Sequence, residues 1–224
     1  MFSQGPLSPD EVTNIRGIRC TTPRRAIFDE MRTAPDVREA VVAMDMAAAA
    51  RIMSISRMQT YVASKAGWVG VEQVRRALEL ADEDSRSPQE TRARLIWVLD
   101  AGLPRPLVNR PVFDRSERLL GIADLLDPEA GFVCEYDGDD HRAAKRHSSD
   151  VDREARLRRV LIEVTRATGL DIREPAKLAQ RLLDARGRAR FLPAERRPWT
   201  LTPPDDYELE LPLDMELDLR GEPS

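Results

Sequence analysis

The stretch that decides the fold runs from Leu119 to His141 and reads LLGIADLLDPEAGFVCEYDGDDH. Two largely apolar runs with strand-like composition, residues 119–126 and 132–137, flank the sequence DPEAG at 127–131. Those five residues favour a turn, because proline presets φ and glycine tolerates a positive φ. The pattern therefore predicts a β-hairpin.

The predicted hairpin brings acidic side chains together. Because strand side chains alternate between the two faces of a sheet, Glu135 and Asp137 share one face. Folding the hairpin about residue 129 sets Asp124 roughly opposite Cys134 and Glu135, so the carboxylates of Asp124 and Glu135 lie side by side. Carboxylates on mostly apolar strands are hard to bury without a cation. A hard divalent cation that takes oxygen ligands, Mg²⁺ or Mn²⁺, meets that requirement.

These residues also carry a resemblance to a known family. Asp124, followed after ten residues by Glu135-Tyr136-Asp137-Gly138 and then His141, resembles the metal-binding hairpin of the PD-(D/E)XK nuclease superfamily. The branch it resembles is the one related to very-short-patch repair endonucleases. Further matches follow in the same order along residues 87–185: Ser87-Pro88-Gln89-Glu90-Thr91, Gly102-Leu103-Pro104, Asp150-x-x-Arg153 and Val164-Thr165.

The resemblance implies a restriction-endonuclease-like mixed sheet flanked by helices, and a metal-dependent endonuclease that hydrolyses phosphodiester bonds in DNA. It implies that Asp124, Glu135 and Asp137 hold Mg²⁺ (or Mn²⁺) together with the carbonyl of Tyr136. The last motif position is usually Lys, and here it is Asp137. Proton transfer would then fall to His141, whose near-neutral pKa suits that role, or to a water.

Glu90 has two interpretations. Ser87, Pro88 and Glu90 form an N-cap, a proline at the first helical position and an acid at the third, which is a capping-box pattern. Glu90 then serves the helix alone. In the resembled superfamily the matching acid of the first helix faces the metal site, so Glu90 is also a candidate catalytic residue.

The charge is distributed unevenly along the chain. The formal net charge is −4, but Asp205 to Ser224 holds eight acids and one base, whereas Arg142 to Arg197 holds 16 bases and eight acids. A basic region after a carboxylate cluster suits a nucleic acid whose phosphate must reach a metal. Solvated helix faces are the alternative explanation for any single arginine. The candidate nucleic-acid-binding residues are Arg142, Lys145, Arg146, Arg153 and Arg156.

The order of predicted elements around the hairpin is α-β-β-β-α-β-α, an α/β class with a mixed central sheet. A helix after Ser87 and a strand at 108–113 precede the hairpin; a helix at 149–159, a strand at 160–166 and a helix at 174–185 follow it. Four helical segments come earlier, at about 23–32, 35–51, 54–66 and 71–83, after a short strand at 15–20. The predicted domains are a helical N-terminal region (1–84), a nuclease-like domain (85–190) and a Pro/Arg-rich linker with an acidic tail (191–224).

The tail leaves three interpretations open. Residues 208–219 alternate between acidic and apolar side chains, which predicts an edge strand, although Pro212 weakens it. The same composition is typical of a disordered acidic tail. A third hypothesis is that the tail shields the basic surface of the same chain and competes with nucleic acid.

Composition sets the remaining expectations. Of the 224 residues 42% are hydrophobic and 33% charged, two are cysteines, no apolar run reaches membrane-spanning length, and residues 1–10 lack a signal-peptide pattern. We therefore expect a cytoplasmic protein without a membrane partner. Two alternatives to the nuclease stay open: a catalytically impaired nucleic-acid-binding or regulatory protein, which Asp137 and Glu163 favour, and a protein-interaction component of antiphage defence or a toxin–antitoxin pair. The latter would bind its partner through the helical region or the tail.

Overall fold

The computed structural model describes residues 6–138 and 153–221, which form two compact units. One unit contains residues 6–88 together with 210–221, and the other contains residues 89–138 and 153–209. The segment from 191 onward, expected to form a separate linker and tail, is thus divided between the two units. No helix in the described ranges is both long and apolar enough to cross a membrane.

The first unit is helical, as predicted. Its first four helices are α1 (Pro23–Thr33), α2 (Val37–Ala49), α3 (Ile55–Ala63) and α4 (Val71–Leu80). Their apolar faces meet in a core in which Phe28, Met44 and Val74 are fully buried. The Asp36 side chain accepts a hydrogen bond from the backbone N–H of Glu39 at 3.0 Å, which starts α2 in the way that N-cap chemistry predicts.

A hairpin stands in place of the single strand expected at 15–20. Its strands are β1 (Val12–Ile15) and β2 (Ile18–Thr21), paired antiparallel. Between them Arg16 and Gly17 have φ values of 53° and 83°, and two consecutive residues with positive φ make the tight turn that joins such strands. The residues predicted to form one strand therefore include the turn between β1 and β2.

The end of the acidic tail forms helix α9 (Leu213–Leu219), which corrects both the edge-strand and the disorder expectations for these residues. Leu213 and Leu217, four residues apart and so on one helix face, are buried against Ala48 of α2. Arg51 pairs with Glu216, and Arg57 pairs with Asp218. These tail carboxylates are engaged by arginines of the helical unit, whereas the shielding hypothesis assigned them to the basic segment 142–197.

The second unit is an α/β domain. Helix α5 continues directly into a π-helical turn, a long hairpin follows β3, and a short helix precedes α8. The elements are α5 (Pro88–Leu95), the π turn (Ile96–Asp100), β3 (Leu107–Asp114), β4 (Leu119–Asp127), β5 (Phe132–Asp137), α6 (153–159), β6 (Glu163–Thr168), α7 (Gly169–Arg173), α8 (Pro175–Arg188) and β7 (Trp199–Thr200).

The five strands form one mixed sheet in the order β6-β5-β4-β3-β7. Strands β3, β4 and β5 are antiparallel neighbours, and β6 lies parallel to β5. The predicted α/β class and the order α-β-β-β-α-β-α are therefore confirmed. Strand β6 begins at Glu163 and not at Val160, because Val160 and Leu161 lie in a turn in which Leu161 has φ 66°.

Strand β7 lies in the segment 191–204, which was expected to be a linker. It pairs with β3 through Phe113 and Asp114, and Trp199 is only 3% exposed. The indole joins the core on the α6 side of the sheet. This part of the segment completes the sheet edge.

Helices cover both faces of the sheet. Leu125 and Cys134 belong to the core that includes residues of α5 and α8, whereas Leu126 and Val133 pack with Leu157 of α6. On β5, alternation places Glu135, two residues after Val133, on the α6 face. On β4 the alternation is interrupted at Asp124, because Ala123 and Leu126, three residues apart, both pack in the core on the α6 side.

Candidate functional site

The hairpin sets two acids beside each other. In the β4–β5 register Leu125 pairs with Cys134 and Leu126 with Val133, so one further step places Asp124 opposite Glu135. At that position the side chain of Asp124 bonds to the neighbouring strand. Its Oδ2 accepts a hydrogen bond from the backbone N–H of Tyr136 at 2.7 Å. This bond fixes the orientation of the Asp124 side chain at the point where the two strands separate.

The second acid is held by an arginine of α6. Nη2 of Arg153 lies 2.6 Å from Oε2 of Glu135, and Glu135 is only 5% exposed. The aliphatic part of Arg153 crosses Gly121 of β4, where a Cβ would stand 2.8 Å from Cγ of Arg153. A side chain at position 121 would therefore obstruct the arginine. The structure thus places Arg153, expected to bind nucleic acid, against a predicted metal ligand.

A second arginine lies on the neighbouring strand. The parallel register pairs Glu135 with Arg166 of β6, and Nη1 of Arg166 stands 3.5 Å from Oδ2 of Asp137. Arg166 also contacts Glu154 of α6 at 2.9 Å. Asp137 is exposed. Five residues line one small surface depression here: Glu135, Tyr136, Asp137, Arg153 and Arg166.

Glu90 contacts β3 at the position next to Asp124. Asn109 stands opposite Asp124, because the register pairs on either side of it flank Asp124. Asn109 has φ 46°, a conformation that asparagine tolerates better than most residues. Its Nδ2 donates to Oε2 of Glu90 at 2.9 Å. The side chain of Glu90 is thus bonded to the strand residue next to Asp124.

Other predicted residues have different surroundings. Nε of Arg156 donates to the carbonyl of Leu120 at 3.0 Å, which attaches α6 to β4. Burial raises the pKa of the Cys134 thiol, so this cysteine stays protonated and is a core residue of the opposite face. Four predicted residues lie outside the described ranges: His141, Arg142, Lys145 and Arg146.

The donors present can be tested against Mg²⁺. In the described ranges, no group of three or more Asp, Glu, His or Cys side chains converges as a metal cage does. Mg²⁺ is commonly held by one or two carboxylates together with water and substrate phosphate. Asp124 and Glu135, at opposite positions of adjacent strands, are two carboxylates that fit that smaller set, whereas Asp137 is exposed and paired with Arg166.

Sequence reasoning set Asp124 opposite Glu135 to within one position, and it did not predict that Arg153 and Arg166 pair with acids at this point. Arg166 follows the Val164-Thr165 motif by one residue, which was the available signal. Its position beside Glu135 depends on the parallel pairing of β6 with β5, which no local pattern specifies. Comparisons of the chain with protein-family models, with curated proteins and with solved structures found no match.

Proposed function

We propose that this protein is a metal-dependent endonuclease with a restriction-endonuclease-like core, and that it hydrolyses phosphodiester bonds in DNA. The observation that carries the proposal is the placement of Asp124 opposite Glu135 on the adjacent strands β4 and β5, with the Asp124 carboxylate bonded to the N–H of Tyr136. The order of elements around this pair agrees with the order that the sequence pattern predicted.

The chain's own residues have separate roles in this proposal. Asp124 and Glu135 would hold the metal, and the Tyr136 N–H keeps the Asp124 carboxylate in place. When bound, Mg²⁺ supplies a Lewis acid for a phosphate oxygen and lowers the pKa of a water. The guanidinium groups of Arg153 and Arg166 line the adjacent depression, where they can bind a phosphate with paired N–H donors.

The proposed substrate follows from charge. Residues 142–197 carry a net charge of +8, counted as 16 bases less eight acids. Such a segment attracts a polyanion, and counterion release makes its binding depend on salt. His141 remains our proposed group for proton transfer, because Asp137 faces Arg166 and occupies the position where the superfamily usually has Lys.

A second candidate is a catalytically impaired nucleic-acid-binding or regulatory protein on the same core. One observation favours it: Glu135 and Asp137 each have an arginine partner within the chain. The charge of these two acids is therefore balanced by Arg153 and Arg166, without a bound metal. Such a protein would bind nucleic acid and leave it intact.

The test is cleavage of supercoiled plasmid in Mg²⁺ or Mn²⁺ by the full chain and by two isosteric variants, Asp124→Asn and Glu135→Gln. The matched control is Glu129→Gln, since Glu129 is an exposed acid in the turn of the same hairpin. We expect wild type and control to nick or linearise the plasmid and both site variants to lose this activity. Metal-dependent cleavage that survives in both site variants contradicts the proposal. Binding without cleavage of supercoiled, linear, mismatched and single-stranded DNA supports the second candidate.

A further inference from the structure

The contact between Arg153 and Glu135 joins α6 to β5, and it requires a residue without a side chain at position 121. Arg153 lies on α6 and Glu135 on β5, and the Arg153 side chain passes close to Gly121 of β4. Cγ and Cδ of Arg153 would stand 2.8 and 2.9 Å from a Cβ at position 121, closer than side-chain atoms tolerate. The missing side chain of Gly121 therefore gives Arg153 its route to the carboxylate.

The carboxylate that Arg153 reaches is enclosed. Glu135 is 5% exposed, whereas the Arg153 side chain is 30% exposed. A buried carboxylate is costly unless a cation pairs with it. In the protein without metal, the guanidinium of Arg153 supplies that charge.

We infer that Arg153 and a divalent metal ion compete for the carboxylate of Glu135, so that metal binding requires Arg153 to leave it. The inference rests on the proposed function, since it concerns the same metal site. A guanidinium and a divalent cation repel each other strongly at the short distance that sharing Oε2 would impose. Each therefore weakens the binding of the other, and Arg153 is a positioning residue that sets the metal affinity of the site.

The competition also gives the released arginine a new partner. Tyr136, Asp137 and Arg166 line the depression into which the guanidinium of Arg153 already reaches. A phosphate placed there would accept the paired N–H donors of the freed guanidinium. Metal and nucleic acid would then favour each other's binding, because the phosphate stabilises the form in which Glu135 is available to the metal.

The first experiment measures Mn²⁺ binding to the full chain by titration calorimetry, for wild type, Arg153→Ala and Glu135→Gln. We expect Arg153→Ala to bind Mn²⁺ more tightly by roughly 5- to 150-fold, the usual range for coupled sites, and Glu135→Gln to lose this binding. The matched control is Arg158→Ala, which removes an arginine of the same helix that pairs with Glu154. Its Mn²⁺ affinity should equal that of wild type.

A second variant tests the same contact in case the Arg153→Ala protein does not fold. Gly121→Ala keeps every charge and obstructs only the path of Arg153, so it should also tighten Mn²⁺ binding. Equal Mn²⁺ affinity in wild type, Arg153→Ala and Gly121→Ala, at a site abolished by Glu135→Gln, overturns the competition and leaves the proposed metal site intact. If wild type and both folded variants bind no Mn²⁺, the competition and the proposed metal-dependent activity are both overturned.

Discussion

Nε of Arg186 lies 2.7 Å from Oδ2 of Asp127, and this contact joins α8 to the turn of the hairpin that carries the candidate site. Asp127 is 3% exposed, and its Oδ1 accepts the backbone N–H groups of Glu129 and Ala130 at 2.9 and 3.0 Å. One carboxylate therefore closes the turn and attaches it to a helix. Since a slip of one residue would move every side chain to the opposite face, this turn protects the pairing of the two site acids.

We predict that Asp127→Ala lowers the free energy of unfolding by roughly 2–4 kcal/mol, because it leaves two turn N–H groups and the Arg186 charge without their acceptor. The figure is below that for a fully buried pair, since the Arg186 side chain is 23% exposed. Urea denaturation of the full chain gives the measurement. Glu129→Ala, in the same turn but exposed, should stay within about 0.5 kcal/mol of wild type. An unchanged unfolding midpoint for Asp127→Ala would show that the turn closes without this carboxylate.

The acid at the start of α7 should titrate abnormally. A hydrogen bond from Arg181 is the largest of the effects that lower the pKa of Asp171 from 3.8 to about 2, and bonds from Thr168 add to it. Because the folded state favours the charged carboxylate, the stability from Asp171 is fully present above pH 3.8 and is lost as the pH falls through about 2. Carbon-detected NMR titration of the Asp171 carboxyl checks the value. Arg181→Gln should return the pKa towards 3.8, and an ordinary pKa in the wild-type protein would contradict the contact.

Helix α9 should depend on its buried leucines. Leu217 is fully buried against the helical unit, whereas Leu219 on the same helix is 75% exposed. We predict that Leu217→Ala lowers the free energy of opening of α9 by about 2–5 kcal/mol, and that Leu219→Ala leaves it nearly unchanged. Hydrogen exchange of the α9 amides measures both. Equal protection in the two variants would mean that the arginine contacts alone retain the helix.

Local patterns predicted most of the hairpin. Strand β5 has the predicted bounds of residues 132–137, and β4 exceeds the predicted 119–126 by one residue. The turn residues set the strand pairing, and so the position of Asp124 opposite Glu135, to within one residue. These features depend on neighbours close in sequence, and for that reason they were predictable.

Contacts between distant elements were not predictable in this way. The pairing of Arg153 with Glu135 requires α6 to lie across β4 at Gly121, and the position of Arg166 requires the parallel strand β6. The tail shows the same limit. Its acidic–apolar alternation suggested a strand, yet burial of Leu213 and Leu217 against Ala48 favours a helix, in which residues four apart share a face. That leucine spacing was an available signal of a helix in the sequence.

The two interpretations of Glu90 make opposite predictions for Glu90→Gln. Glutamine also serves at the third position of a capping box, so a capping role alone predicts unchanged stability and unchanged plasmid cleavage. In the structure Oε2 of Glu90 accepts a hydrogen bond from Asn109, the strand residue beside Asp124. We therefore expect Glu90→Gln to slow metal-dependent cleavage by about tenfold or more, because the site loses a negative charge, with stability within about 1 kcal/mol of wild type. The control is Glu72→Gln, which changes a first-turn acid of α4 in the helical unit. Cleavage by Glu90→Gln at the wild-type rate would show that Glu90 serves only to cap helix α5.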